Sequence, residues 1–423
     1  MVYSSKNNAH IKKYDLMEGQ ALKRLFALSC AFYLLIGVTS VVLGALLPTF
    51  LPHYGRGYSD GGLLLFLQFF GFLVGVLLTP FMALHMGRKS MLAIALGSIV
   101  VSCTILGLLP SWNWVIVMAI WIGFGSGIIE SSIGAFTIEF TEEQKAVAMS
   151  KLDVYFALGA LLMPAIVSLY IWFGIWNLTF YTISFLTFIL LLFWLTMPVS
   201  ASTHLTQADI RTTERSVEQA RYSGQHRVLL GIFIIFFFVY MGLELGLMNF
   251  LPSILTETLQ LQGSVASLGV SVLWIAMIIG RMFSGRIAES AGYIPYLLWS
   301  AIGTFCFLVA MVFISSQWAT YLLIFGAGIF MSGLFCIALV YANVLIPGMT
   351  ERTTSILIAS GGIGGSVLQY VIGWSMSEWP VTASLWILGG FTLILLLALI
   401  LTHLWNNRGS RVIDSLVHQG KEG

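Results

Sequence analysis

Three carboxylates stand where a carboxylate is expensive. Glu130, Asp153 and Glu244 lie within long apolar runs, whereas most of the 18 acidic residues fall between such runs. An ionisable group near the middle of a bilayer costs about 2.5–3.5 kcal/mol on insertion scales, so those kept there usually face a cavity and mark the path of an ion or polar solute. Glu130 occurs in Gly123-Phe-Gly125-Ser-Gly127-Ile-Ile-Glu130-Ser131-Ser132. Helical spacing puts Ser126, Gly127, Gly134 and Thr137 on or near its face, a small and polar stripe that water or a neighbouring helix can approach. A carboxyl in such a place can take up and release a proton. The same residue could also serve as interhelical glue, bonded to a backbone or hydroxyl group.

Asp153 falls early in Lys151-Leu-Asp153-Val-Tyr155, where an inner-end ion pair and a transport role are both open. Glu244 lies in Tyr240-Met-Gly-Leu-Glu244-Leu-Gly-Leu-Met-Asn249, with Tyr240 one turn away on its face and Asn249 only loosely on it. Neutral polar and aromatic residues inside apolar runs form a second group: Gln68, Trp121, Trp274, Asn343, Gln369 and Tyr370. Amides and carboxylates beside an aromatic face suit a ligand with hydroxyl edges and an apolar C–H face. Lipid contact or packing is the competing explanation for each single tryptophan. Trp274 is favoured because Arg281 lies seven residues later on the same face.

The elements that must position these groups are membrane helices. Of 423 residues, 9% are charged and 58% are hydrophobic, against roughly 25% charged in an ordinary soluble domain. That composition excludes a soluble enzyme, a nucleic-acid binder and a disordered scaffold, because it cannot supply a polar shell. Apolar runs of about 20 residues place spans at 26–48, 61–83, 89–109, 113–137, 147–171 and 174–198, then at 227–251, 265–288, 293–315, 318–343, 352–375 and 380–405. The expectation is an all-α membrane protein of twelve helices, in two six-helix halves at 26–198 and 227–405. A tail at 1–25, a central loop at 199–226 and a tail at 406–423 complete the chain, and the first apolar run reads as retained.

Lysine and arginine set the expected orientation. Lys6, Lys12, Lys13, Lys23 and Arg24 precede the first span, Arg88 and Lys89 lie in the second connection, and Lys145 and Lys151 flank the fourth. Arg211, Arg215, Arg221 and Arg227 lie in the centre, Arg281, Arg286 and Arg352 at later connections, and Arg408, Arg411 and Lys421 in the tail. With both termini cytoplasmic, every one of the 20 basic residues except Arg56 lies on that side. The four cysteines, Cys30, Cys103, Cys306 and Cys336, sit in apolar segments and read as small hydrophobes. No Walker A sequence and no His/Cys cluster occur, so neither ATP nor a metal is expected to drive chemistry.

The two halves read as parallel repeats. Leu47-Pro48-Thr49-Phe50-Leu51 matches Leu251-Pro252-Ser253-Ile254-Leu255 at an offset of 204, and Gly87 with Gly292 and Gly159 with Gly364 match at 205. In such proteins the substrate site lies at midplane between the repeats. The runs Gly123-x-Gly125-x-Gly127 and Gly361-Gly362-x-Gly364-Gly365 lie inside apolar spans, where they permit close helix contact rather than bind phosphate.

Gly285-x-x-x-Glu289-x-x-Gly292, with Arg281 one turn earlier, resembles the G-x-x-x-D-R-x-G signature of the major facilitator superfamily, with Glu in place of Asp. The first-half copy keeps only Gly87-Arg88-Lys89, and Leu84 stands where the acid belongs. More narrowly, the chain resembles the fucose–galactose–glucose:proton symporter family, most of all its Bacillus-type glucose/mannose members. The segments that carry this are Gln68 to Leu77, Gly125 to Glu130, Met149 to Leu161, Gly242 to Glu244 with Asn249 to Ile254, and Ile358 to Gly365. The resemblance implies proton-coupled uptake of a hexose by alternating access, with Glu130 as the coupling acid. The relatives' acid in span 1 has no counterpart in Thr39 to Pro48, so Glu130 carries the proton alone or shares it with Glu244 or Asp153. A proton-driven exporter of a drug, metabolite or sugar-like antibiotic is the alternative.

The expected substrate contacts are Gln68, Glu130, Tyr240, Glu244, Asn249, Trp274, Asn343 and Gln369. Arg88, Lys89, Arg281, Arg286 and Glu289 are expected at the cytoplasmic gate, where charges pair in one conformation and separate in another. The expected partners are a sugar, a proton and the lipid bilayer of the cell membrane, with no nucleic acid, no cofactor and no metal, and the expected state is a monomer. No enzymatic constellation is present.

Overall fold

The computed structural model describes the backbone of residues 2–140, 145–196, 222 and 224–419, and side chains within 25–137, 149, 151–196, 222, 224, 226–350 and 352–405. The described chain is helical. In order it forms α1 (Val2–His53), α2 (Tyr58–Gly107), α3 (Trp112–Phe140), α4 (Lys145–Trp172), α5 (Leu178–Thr196) and α6 (Gly224–Leu259). There follow α7 (Gly263–Ala291), α8 (Tyr293–Phe313), α9 (Gln317–Met331), α10 (Leu334–Leu345), α11 (Thr350–Glu378) and α12 (Thr382–Gln419). Eleven helical stretches among the described residues are long and apolar enough to cross a membrane, with α9 and α10 together forming one of them. The basic side chains of the N-terminal tail and of Lys145, Arg211, Arg215, Arg221, Arg408, Arg411 and Lys421 lie outside the described side chains, as does most of the 199–226 loop.

Helices rather than strands form because long apolar segments must satisfy every backbone polar group internally once water is excluded. The outward faces of the described helices carry large apolar side chains: Leu77 is 76% exposed and Trp318 79%. Two interruptions matter. The α2 segment runs 50 residues and breaks at Gly87, whose φ of 75° and ψ of 153° are essentially open to glycine alone. Gly292, between α7 and α8, adopts nearly the same conformation, φ 88° and ψ 149°. The span expected at 318–343 is broken near Ser332–Gly333 into α9 and α10. A Cβ at Gly333 would strike the Tyr296 hydroxyl and lie 2.8 Å from the Ser284 Cβ, and Tyr240 donates from its hydroxyl to the Met331 carbonyl oxygen at 3.2 Å.

The chain divides into two compact units. The first lies within Met1–Ser40, Phe70–Ala160 and Asn177–Val217, the second within Val41–Phe69, Leu161–Trp176 and Glu218–Gly423. In the first, α1 crosses α4 at glycine: a Cβ on Gly159 would strike the Leu34 carbonyl, and one on Gly37 the Phe156 carbonyl. In the second, α6 packs on α7, α11 and α12, and α8 packs on α9 and α12. There a Cβ on Gly364 would strike the Phe238 carbonyl, matching Gly159 and Leu34 at offsets of 205 and 204. Without a hydrophobic drive between helices in lipid, such backbone approaches are a main source of packing energy.

Candidate functional site

In the first unit, the candidate groups converge around α1, α3 and α4. Glu130 on α3 and Asp153 on α4 are close enough to interact through their charges, and Tyr33 on α1 interacts with both. The alignment of α1 with α3 is fixed nearby, where the Thr39 and Ser126 hydroxyls share a hydrogen bond of 2.9 Å. Ser126 lies one turn before Glu130, so this bond holds the polar stripe of α3 against α1. Lys151 turns away from Asp153, with its ammonium 5.9 Å from the Phe26 ring. Tyr33 did not stand out in the sequence, because a tyrosine in an apolar run reads as packing.

The other site residues fall into three sets, the first two of them in the second unit. Asn249 on α6 donates from Nδ2 to Gln369 Oε1 on α11 at 2.8 Å, and Gln369 Nε2 donates to the Gly365 carbonyl at 2.8 Å. Both side chains are buried, and Asn249 Oδ1 has no hydrogen-bond partner among the described residues. Gly44 makes this possible, since a Cβ there would lie 2.8 Å from the Asn249 Cβ and closer still to its Oδ1. The amide pair therefore presents one unfilled acceptor, the complement of a hydroxyl donor.

The second set is Glu244, Arg281, Trp274 and Tyr240. Arg281 Nη2 lies 3.5 Å from Glu244 Oε1, and its guanidinium carbon is 5.7 Å from the centre of the Trp274 ring. Trp274 is 2% exposed, so the ring is core rather than lipid contact. Tyr240 interacts with Glu244 as helical spacing predicts, besides its bond to Met331. Arg281 was expected at the cytoplasmic gate. In this structure Glu244 engages it from 37 residues away, a partnership that only the packing of α6 on α7 creates.

The third set is dispersed. Asn343 on α10 donates to Thr354 Oγ1 at 2.9 Å and to the Leu339 carbonyl at 3.0 Å, and Gln68 is buried on α2 in the same unit. Trp121 is 46% exposed and reads as a surface residue. Of the gate residues, Lys89 donates to the Leu195 carbonyl at the end of α5 at 3.1 Å, while Trp194 Nε1 donates to the Lys89 carbonyl at 3.0 Å. A cation at a helix C-terminus is favourable. Arg286 and Glu289 are exposed. Among the described residues no three His, Cys, Asp or Glu side chains converge as a metal ion would need. A cavity of about 510 Å³ lined by Phe283, Ile287, Tyr296, Trp299 and Phe330 contains none of the candidate residues.

The family model described as Major Facilitator Superfamily matches residues 28–367 and 232–417. The chain is 32% identical over 364 residues to the glucose/mannose transporter GlcP of Bacillus subtilis, covering 84% of this chain and 89% of that protein. Among solved structures, a D-xylose-proton symporter superposes with a TM-score of 0.70 at 17% identity, over 89% of this chain and 96% of that one. A bacterial homolog of the human lysosomal transporter Spinster superposes with a TM-score of 0.73 at 11% identity, over 92% and 97%. These two structures share the fold.

Proposed function

The chain belongs to the major facilitator superfamily, and from that premise we propose that it is a proton-coupled carrier that takes up a hexose of the glucose/mannose kind by alternating access. It is a transporter and not an enzyme. The observation that carries the reading is the 32% identity to a glucose/mannose transporter, which extends over 84% of the chain. The geometry supports it from within. One unit holds a carboxylate pair inside the apolar layer, as proton coupling requires, and the other holds amides, a charged pair and a buried indole, as a sugar requires.

Glu130 is the coupling acid and Asp153 its neighbour nearer water. Asn249 and Gln369 accept a sugar hydroxyl, while Glu244 and Arg281 bind hydroxyl edges beside the Trp274 face. Gln68, Tyr240 and Asn343 complete or support the site. Protonation of Glu130 favours loading from outside, and release of sugar and proton follows inside. Arg88, Lys89, Arg286 and Glu289 act at the cytoplasmic end.

Twelve spans in two parallel-repeat halves fit this reading. At about 1.5 Å per residue, the 50 residues of α2 exceed twice the roughly 30 Å hydrocarbon thickness, and the break at Gly87 divides them into two crossings. The matched backbone of Gly87 and Gly292 supports the repeat. The repeat bounds are those at 26–198 and 227–405, joined by the 199–226 loop. Both termini face the cytoplasm, the protein resides in the cell membrane, and one chain suffices as the unit of transport.

Proteoliposomes with an inward proton gradient test the proposal. Glucose or mannose accumulates above its external concentration, and a protonophore abolishes the accumulation. If glucose, mannose, fucose and galactose all fail to accumulate, the proposal fails.

A further inference from the structure

The cavity of about 510 Å³ between α7, α8 and the end of α9 has no part in the transport reading. It is a groove on the lipid-facing side of the second unit, since Phe283, Ile287 and Trp299 along it are all exposed. Its lining on α7 runs from Ile279 to Ala291. At about 1.5 Å per residue that is about 18 Å, just over half the roughly 30 Å hydrocarbon layer. The groove therefore has the length of one acyl chain in one leaflet. Part of its floor is polar. The Tyr296 hydroxyl and the Ser284 Cβ both lie within 2.8 Å of the point a Cβ on Gly333 would take, and Ser332 adjoins that glycine. Ser300, one turn after Tyr296 on α8, lines the same groove. Ser284 donates to the Arg281 carbonyl at 3.2 Å and Ser332 to the Ile329 carbonyl at 2.7 Å. Tyr296 and Ser300 hold the cluster's other O–H donors. At the rim stands Arg286, three residues after Phe283 and so on its face. It is exposed, as is Glu289 one turn on, and it makes no ion pair among the described residues.

We infer that this groove is a binding site for one phospholipid with an anionic headgroup. The phosphate lies at Arg286, the ester carbonyls at Tyr296 and Ser300, and one acyl chain along Phe283, Phe330 and Ile279 toward the bilayer centre. The apolar lining alone selects nothing, because a chain is as well placed among other lipid tails as against leucine or phenylalanine. Selection comes from the polar groups. A cation without a counter-charge near the membrane surface attracts an anionic headgroup. Hydroxyl donors where water is excluded need acceptors, and ester carbonyls supply them. The depths agree. Tyr296 and Ser300 stand one and two turns into α8 from the Gly292 turn, where headgroup gives way to chain. Trp299 beside them is the amphipathic ring typical of that level. Under the proposed orientation this end of α7 is cytoplasmic, which assigns the lipid to the inner leaflet. The binding itself is independent of proton coupling.

The full chain, purified in detergent, is titrated with dioleoyl phosphatidylglycerol or dioleoyl phosphatidylcholine, and bound lipids are counted by native mass spectrometry. The parent retains one phosphatidylglycerol in preference to phosphatidylcholine. Arg286→Gln weakens that retention roughly fivefold, the worth of one basic residue at an anionic surface. Arg56→Gln, which removes the same charge from the α1–α2 connection, leaves it unchanged. Ile287→Trp fills the groove from its exposed edge and lowers retention of the bound lipid. Independently of any variant, phosphatidylglycerol carrying a diazirine in its chain, mixed into phosphatidylcholine vesicles holding the parent, labels the peptides of Phe283 and Phe330. Equal retention of the two lipids overturns the proposal, leaving lipid contact without selection. Equal weakening by Arg286→Gln and Arg56→Gln also overturns it, because net charge then explains the preference. Photolabelling that avoids α7 and α9 overturns the groove as the site, even where Ile287→Trp fails to fold.

Discussion

Gly364 of α11 lies directly on the carbonyl of Phe238 in α6, with no room for a Cβ between them. Gly159 of α4 lies in the same way on the carbonyl of Leu34 in α1. In lipid, helices hold together through such close approaches, so a larger side chain at either glycine must push two backbones apart. Gly159→Leu and Gly364→Leu are expected to lose monodisperse elution from detergent and several degrees of melting temperature. Gly97→Ala and Gly390→Ala, where a Cβ meets nothing within 4 Å, are expected to be neutral or to gain about 0.5–1 kcal/mol from helix propensity.

The buried amide pair makes a distinct prediction. Gln369 orients Asn249 at 2.8 Å and leaves Asn249 Oδ1 as an unfilled acceptor. Asn249→Ala removes the acceptor, and Gln369→Ala removes its support. Each is expected to raise the KM for hexose roughly two- to tenfold, the worth of about 0.5–1.5 kcal/mol for a neutral hydrogen bond. The double variant adds little to either single one, since both act on one contact. Initial-rate uptake across hexose concentrations measures this, and additive losses would show that the two amides act apart.

Glu244 and Arg281 depend on each other for charge. The Arg281 side chain is 32% exposed and that of Glu244 12%, so breaking the pair costs less than the about 3–5 kcal/mol of a fully buried one. Arg281→Met leaves the carboxylate without its cation, and Glu244→Gln leaves the guanidinium without its anion. Both are expected to lower melting temperature more than Arg281→Met with Glu244→Gln combined. Arg281→Lys retains the charge but loses the guanidinium over the Trp274 ring, and should fall between parent and Arg281→Met in hexose affinity.

Run lengths and charge positions are enough to predict membrane helices, because the bilayer imposes both constraints locally. The matching breaks at Gly87 and Gly292 are also legible in the sequence, since only glycine tolerates that backbone. A further pair escapes a sequence reading: Gly75 lies on the Phe124 carbonyl, and a Cβ on Gly280 would lie 2.8 Å from the Ile329 carbonyl, again 205 residues on. Nothing local distinguishes those glycines from others in apolar runs. The same limit hides Tyr33, whose neighbours Glu130 and Asp153 are about a hundred residues away in the chain. It also hides the partner of Arg281. A charge announces that it needs a counter-charge, but which helix supplies it is decided by packing alone. The packing at the break between α9 and α10 is hidden in the same way, for the groups that leave no room for a Cβ at Gly333, Tyr296 and Ser284, belong to other helices.

The end of the second unit that carries Tyr58 holds a contact suited to opening and closing. A Cβ on Gly373 would lie 2.6 Å from the Gly62 Cα, so the start of α2 and the end of α11 touch backbone to backbone. Around this contact, Ser59 N–H donates to Ser377 Oγ at 2.7 Å and Tyr58 donates to Glu257 Oε1 at 2.7 Å. Both bonds are exposed, so each adds little stability and can exchange with water. On the proposed alternating-access reading, this end parts and re-forms during transport. Ser59→Cys with Ser377→Cys is therefore expected to cross-link under mild oxidation and to stop uptake until a reductant restores it. Gly373→Leu, which wedges the two backbones apart, should slow that cross-linking and raise the labelling of Ser59→Cys alone by a water-soluble maleimide. Cross-linking that proceeds at the same rate in Gly373→Leu would show that the glycine contact does not control closure at this end.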